Sequence, residues 1–111
     1  MNQTIQSTAQ LQELISNNRG VLVYFYNDNC APCINLRPKV QAMVNEDFPL
    51  LQLEFVDSIK YPELPALFGV FSSPALLVFF EGKEFIRESK YVSMEALRED
   101  IERYYTMVFG I

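Results

Sequence analysis

The chain has 111 residues, of which 50% are hydrophobic and 21% charged, which suits one domain with a packed core and argues against disorder. At this length folding buries roughly 60–70% of the surface an unfolded chain exposes, so nine Phe and six Tyr can fill the core without covalent staples. A net charge of −5 and the lack of any Lys or Arg cluster argue against a nucleic-acid binder and against docking on an anionic membrane.

Ser7 opens a first helix, and Gln10 three residues on completes a capping-box pattern. Leu11, Leu14 and Ile15 give that helix an apolar stripe, and Gly20 follows as its expected stop. Residues 21–26, Val-Leu-Val-Tyr-Phe-Tyr, form an unbroken β-favouring run of the kind found in strands covered on both faces. Asn27, Asp28 and Asn29 break the strand, and from Cys30 the pattern turns helical through Ile34, Leu36, Val40, Met43 and Val44. Pro38 falls inside this helix, where it removes an amide donor and is expected to kink it.

A second apolar strand spans 50–56, and 62–68 reads as a short helix closed by Gly69. A third strand covers 75–80, and Glu81, Gly82 and Lys83 turn it into a fourth over 84–88 as an antiparallel hairpin. The last helix begins near Ser93 and carries Leu97, Ile101, Tyr104, Tyr105 and Val108 at helical spacing. Strands alternating with helices predict an α/β fold in three layers. Its sheet is mixed, mostly parallel, with the final hairpin as an antiparallel edge and helices on both faces.

No stretch is long and apolar enough to suggest a membrane span, and Met1-Asn2-Gln3-Thr4 carries neither the basic segment nor the apolar core of a secretion signal. The expected location is therefore the cytoplasm.

The two cysteines, Cys30 and Cys33, are the informative residues. A disulfide between them closes a tiny loop and constrains little of the unfolded chain, so stability is a poor reason for the pair. A tetrahedral zinc site needs about four ligands, and the chain offers two thiols and no histidine. The same shortage argues against an iron–sulfur cluster, and no Cys–His or Ser–His hydrolase pairing is possible. Two core cysteines spaced by chance would suit a helix interior, whereas this pair follows a polar break. Cys30 lies where a strand gives way to a helix, amid unpaired amides and the positive end of the helix dipole, which favour a thiolate. The pattern points to a redox dithiol in which Cys30 attacks and Cys33, one turn on, resolves. Pro32 falls near the first helical position, where its missing donor costs nothing.

At these residues the chain resembles the thioredoxin family. The likeness rests on the strand over 21–26, on Cys30-Ala31-Pro32-Cys33, and on Pro38 five residues after the second cysteine. It continues in the Ser73-Pro74 step about forty residues on, and in the Glu81-Gly82-Lys83 hairpin. The resemblance implies a thiol–disulfide oxidoreductase acting on protein disulfides, with no bound cofactor or metal and a Cys30–Cys33 disulfide as its redox group. It also implies a separate flavin-dependent reductase as electron donor and a monomeric state. In that reading Pro74 follows a cis peptide bond beside the cysteines, and Ser73 offers its backbone to an extended substrate strand. Asn29, Ala31 and Pro32 complete the substrate surface.

Several positions depart from the family pattern. Asn29 stands where thioredoxins usually carry Trp, and Ala31 where they usually carry Gly. Tyr24 stands in place of a buried Asp, and Leu53 in place of the Lys facing it. Glu54 is expected on the opposite face of its strand and is a poor substitute. Resolution of the mixed disulfide is then expected to be slow, or to rely on water and the Tyr24 hydroxyl. Recognition by the usual reductase is altered in turn. A second reading stays open at this point: a thioredoxin-like binding or regulatory module whose dithiol is weak or vestigial.

Overall fold

The computed structural model describes residues 5–111; Met1 to Thr4, which carry the expectation about a secretion signal, lie outside them. The elements follow the expected order: α1 (Thr8–Asn17), β1 (Gly20–Tyr26), α2 (Ala31–Asp47), β2 (Gln52–Asp57), α3 (Glu63–Leu67), β3 (Ala75–Phe80), β4 (Lys83–Ser89) and α4 (Met94–Phe109).

Local chemistry accounts for the helix ends. The Ser7 hydroxyl accepts the Gln10 amide at 3.2 Å, and the Gln10 side chain accepts the Gln6 amide at 2.8 Å. Ser93 caps α4 in the same way by accepting the Ala96 amide at 3.3 Å, and Gly110 closes that helix at φ 72°. Pro38 lies inside α2 without ending it. Gly20 does not stop α1, which ends with Asn18 as its cap; it opens β1 instead. A Cβ there would lie 2.7 Å from Leu51 Cδ2 and 3.2 Å from the Phe109 ring. Close packing, not helix termination, explains that glycine.

The sheet order is β2-β1-β3-β4. It is mixed, as expected, but it is not mostly parallel: β1 and β2 are parallel, whereas β3 runs antiparallel to β1 and β4 antiparallel to β3. The reason is where the connection returns. β2 ends at Asp57 opposite Tyr26, and β3 begins at Ala75 opposite Phe25, at the same end of the sheet. A parallel β3 would have to start at the far end, beside Gly20. Instead the segment 58–74, with the short α3 inside it, brings the chain back to the end it left.

Each face of the sheet has its own core. On one, α2 and α4 cover Leu22, Tyr24, Leu76 and Val78 with Val40, Met43, Val44, Leu97, Ile101 and Tyr105. On the other, α1 and α3 cover Val21, Val23, Phe25 and Leu77 with Leu11, Ile15 and Leu64. Every residue from Gly20 to Phe25 is buried, as the unbroken apolar run implies. Glu54 pairs with Val23 in the β1–β2 register, and so lies on the face away from Tyr24.

Candidate active site

The turn between β1 and α2 is held by one side chain. The Asn27 carboxamide oxygen accepts the Asn29 amide at 2.9 Å, and the Asn27 carbonyl accepts the Cys30 amide at 3.3 Å. Cys30 then serves as the N-cap of α2, with φ −103° and ψ 101°. Its sulfur accepts the Cys33 amide at 3.2 Å, as the oxygen of a capping Ser or Asp would. Pro32 lies in the first turn, where no amide is needed.

Cys30 and Cys33 are joined as a disulfide, with their Cα atoms 5.2 Å apart. Cys30 is half-buried, whereas Cys33 is only 2% exposed. Of the two residues, Cys30 is the one that solvent reaches. Once the bond is reduced, the Cys33 amide and the N-terminal end of α2 face the Cys30 sulfur and favour its thiolate.

Beneath the pair, the Tyr24 hydroxyl donates to the Cys33 carbonyl at 2.7 Å. Tyr24 is wholly buried, and burial raises its pKa above the ordinary phenol value, opposed in part by the Arg37 charge. It stays a neutral donor at physiological pH. The hydroxyl is committed to backbone and is no proton acceptor for Cys33. Arg37 packs over the rings of Phe55 and Tyr26, at 4.0 and 4.9 Å from their centroids, and closes this side of the site.

The Ser73–Pro74 bond is cis. Pro74 is buried, and its carbonyl accepts the Lys90 amide at 2.9 Å, which fastens the loop before β3 to the loop after β4. Pro32 and Pro74 share a cavity of about 420 Å³ with Leu36, Lys39, Lys90 and Tyr91. Ser73 lines a second cavity, of about 390 Å³, with Asn27, Ser58, Pro62 and the 87% exposed Phe71. The structure thus brings Cys30, Cys33, Pro32, Ser73 and Pro74 to one end of the sheet. Asn29 and Ala31 are exposed at the loop and first turn and line neither cavity. The sequence reading missed Phe71, Lys39, Lys90 and Tyr91. Phe71 and Tyr91, aromatics in predicted loops, left a signal there; the two lysines left none. Among the described residues no group of three or more His, Cys, Asp or Glu is placed to hold a metal ion.

A cysteine at a helix cap, joined as a disulfide to a buried cysteine one turn away, is a dithiol suited to thiol–disulfide exchange, and on this sheet the arrangement defines an oxidoreductase of thioredoxin fold. The Thioredoxin family model matches residues 2–103. Over 106 residues the chain is 26% identical to a thioredoxin-like protein, YdfQ, of Bacillus subtilis, covering 96% of this chain and 94% of that one. It is 32% identical to a thioredoxin of Listeria monocytogenes across 76% of this chain and 82% of the relative. Among solved structures, the thioredoxin of Fasciola hepatica superposes with a TM-score of 0.81 at 32% identity, covering 92% of this chain and 98% of that one. The chain belongs to the thioredoxin family, and it is a thiol–disulfide oxidoreductase.

Proposed function

We propose that this protein reduces disulfides in other proteins by two successive exchanges. The Cys30 thiolate attacks one sulfur of the partner's disulfide. A Cys30–partner disulfide forms and the other partner sulfur leaves as a thiolate. The Cys33 thiolate then attacks Cys30 Sγ, which expels the second partner sulfur and leaves the Cys30–Cys33 disulfide. Two electrons have passed to the partner, and its two thiolates take up protons from water or from the thiols. Pro74 and Ser73 shape the substrate surface beside the cysteines, together with Pro32, and Asn29 and Ala31 form its rim.

The observation that carries this reading is the unequal exposure of the two cysteines, with the more exposed one at the cap of α2. Electrons return from a separate reductase, and no bound cofactor takes part. The whole chain, residues 1–111, acts as one domain and as a monomer in the cytoplasm, where it serves electron transport and redox homeostasis. No helix among the described residues is long and apolar enough to cross a membrane.

One observation favours a second reading, a binding or regulatory module with weak redox activity: the phenol of Tyr24 fills the place of a buried acid and cannot act as a base. Reduction of insulin by dithiothreitol-recycled protein separates the two. The oxidoreductase turns insulin over, and Cys30→Ser abolishes that turnover; a binding module gives little turnover in either form. Equilibration of the pair in thiol–disulfide buffers then fixes the direction of flow. A midpoint of about −270 to −220 mV marks a reductant, and one near about −120 mV an oxidant.

A further inference from the structure

The cavity between α2 and the loop joining β4 to α4 carries charge of the sign opposite to the whole chain. The protein has 14 acidic and 9 basic residues, yet the walls of this cavity hold Lys39 and Lys90 and no carboxylate. Both lysines are exposed. The ion pairs among the described residues are Arg19–Glu81, Arg87–Glu84 and Arg103–Asp100, so neither lysine is engaged in one.

The backbone gives a second, independent indication. Lys90 lies at φ 64°, in the left-handed region where glycine is free of strain and a side chain is not. Its amide is bound to the Pro74 carbonyl at 2.9 Å, so the root of the side chain is fixed next to the proline that shares this cavity with Pro32. Tyr91 follows, 94% exposed, with a ring face free to pack on a peptide. Pro32, Leu36 and Pro74 make the rest of the groove apolar.

We propose that this groove selects disulfides whose flanking residues are acidic. Its occupant is an extended segment of a partner protein with an Asp or Glu within a few residues of the cysteine that Cys30 attacks. That carboxylate lies between Lys39 and Lys90. The selection rests on the oxidoreductase reading above and adds a substrate class to it. The carboxylates take no part in bond making or breaking; they favour encounter and orientation, and the two exchanges proceed as written. Exposed charge pairs of this kind change rates by about two- to fivefold each, and their effect fades with added salt.

The test uses three cystine peptides identical except that Asp, Ser or Lys flanks the disulfide, with kcat/KM measured at ionic strengths of about 10 mM and about 500 mM. At low salt the Asp peptide is reduced at least about fivefold faster than the Lys peptide, with the Ser peptide between them, and the spread narrows at high salt. A K39E/K90E double variant reverses the order. K83E, at the far end of the sheet in the β3–β4 turn, keeps it. Equal rates on all three peptides, or an order unchanged in K39E/K90E, overturn the selection and leave the dithiol chemistry standing. Failure to reduce any of the three overturns the oxidoreductase reading together with it.

Discussion

The Tyr24 hydroxyl reaches up from β1 to the carbonyl of Cys33 at 2.7 Å, tying the centre of the sheet to the first turn of α2 directly under the disulfide. Because the phenol is buried and its pKa is raised, the contact is mechanical and not a proton relay.

Removal of that hydroxyl in Tyr24→Phe costs about 1 kcal/mol of stability, read as a lower urea midpoint. The shape of the pH–turnover profile between about pH 6 and 9 stays the same, since no ionisation of Tyr24 contributes to it. A new inflection in that range would show that the phenol takes part in proton transfer. The folded state favours the neutral phenol, so Tyr24 adds stability below the ordinary phenol pKa of about 10, and this is lost as pH rises through its higher folded value.

The exposure difference between the cysteines predicts distinct fates for two variants. Cys33→Ser accumulates a covalent adduct between Cys30 and a cystine peptide, visible as a mass increase reversed by dithiothreitol. Cys30→Ser gives neither adduct nor turnover. An adduct on Cys33 in the Cys30→Ser protein would reverse the assignment of roles.

Glu54 is 7% exposed, accepts from the Gln52 carboxamide at 3.0 Å, and has its pKa raised by burial. A carboxylate with a raised folded pKa binds its proton more tightly when folded. Stability is then full below about pH 4.3 and falls as pH rises through the folded value. Glu54→Gln removes that loss while its amide oxygen keeps the Gln52 contact. The variant is at least as stable as the parent at pH 7 and equal to it near pH 4. An advantage that shrinks from pH 4 to pH 7 would contradict the sign argued here.

At Gly20 an added methyl group meets Leu51 and the Phe109 ring, at 2.7 and 3.2 Å. Gly20→Ala loses about 1–3 kcal/mol to overpacking. Insulin turnover per folded molecule is unchanged, because Gly20 pairs with Phe80 at the end of the sheet away from the cysteines. An unchanged or higher urea midpoint would show that Leu51 turns aside without cost.

Elements with a periodic or capping signal were legible in the sequence. Ser7 caps the helix it was expected to cap, the last helix begins at Ser93, residues 75–80 form β3, and the cysteines fall at the start of α2. The direction of β3 was not legible, because pattern gives strand identity while direction depends on which end of the sheet the connection after β2 returns to. Gly20 has the local signature of a helix stop, and only the distant Leu51 and Phe109 reveal its packing role. Lys39 and Lys90 are 51 positions apart and meet in one cavity only after folding. Tyr24 stands out as the replacement for a buried acid, but its actual partner does not, since a hydrogen bond to a backbone carbonyl leaves no trace in side-chain pattern.

The two cores have a consequence for how such a molecule changes over time. Leu36 and Val92, which support the lysine-bearing groove, belong to the layer under α2 and α4, whereas Val70, beside Phe71 in the opposite cavity, belongs to the layer under α1 and α3. The sheet stands between them as a bulkhead. Substitutions beneath one flank of the disulfide reshape that flank while the other keeps its form, so a lineage can retune what it recognises on either side without disturbing the sulfur chemistry in the middle.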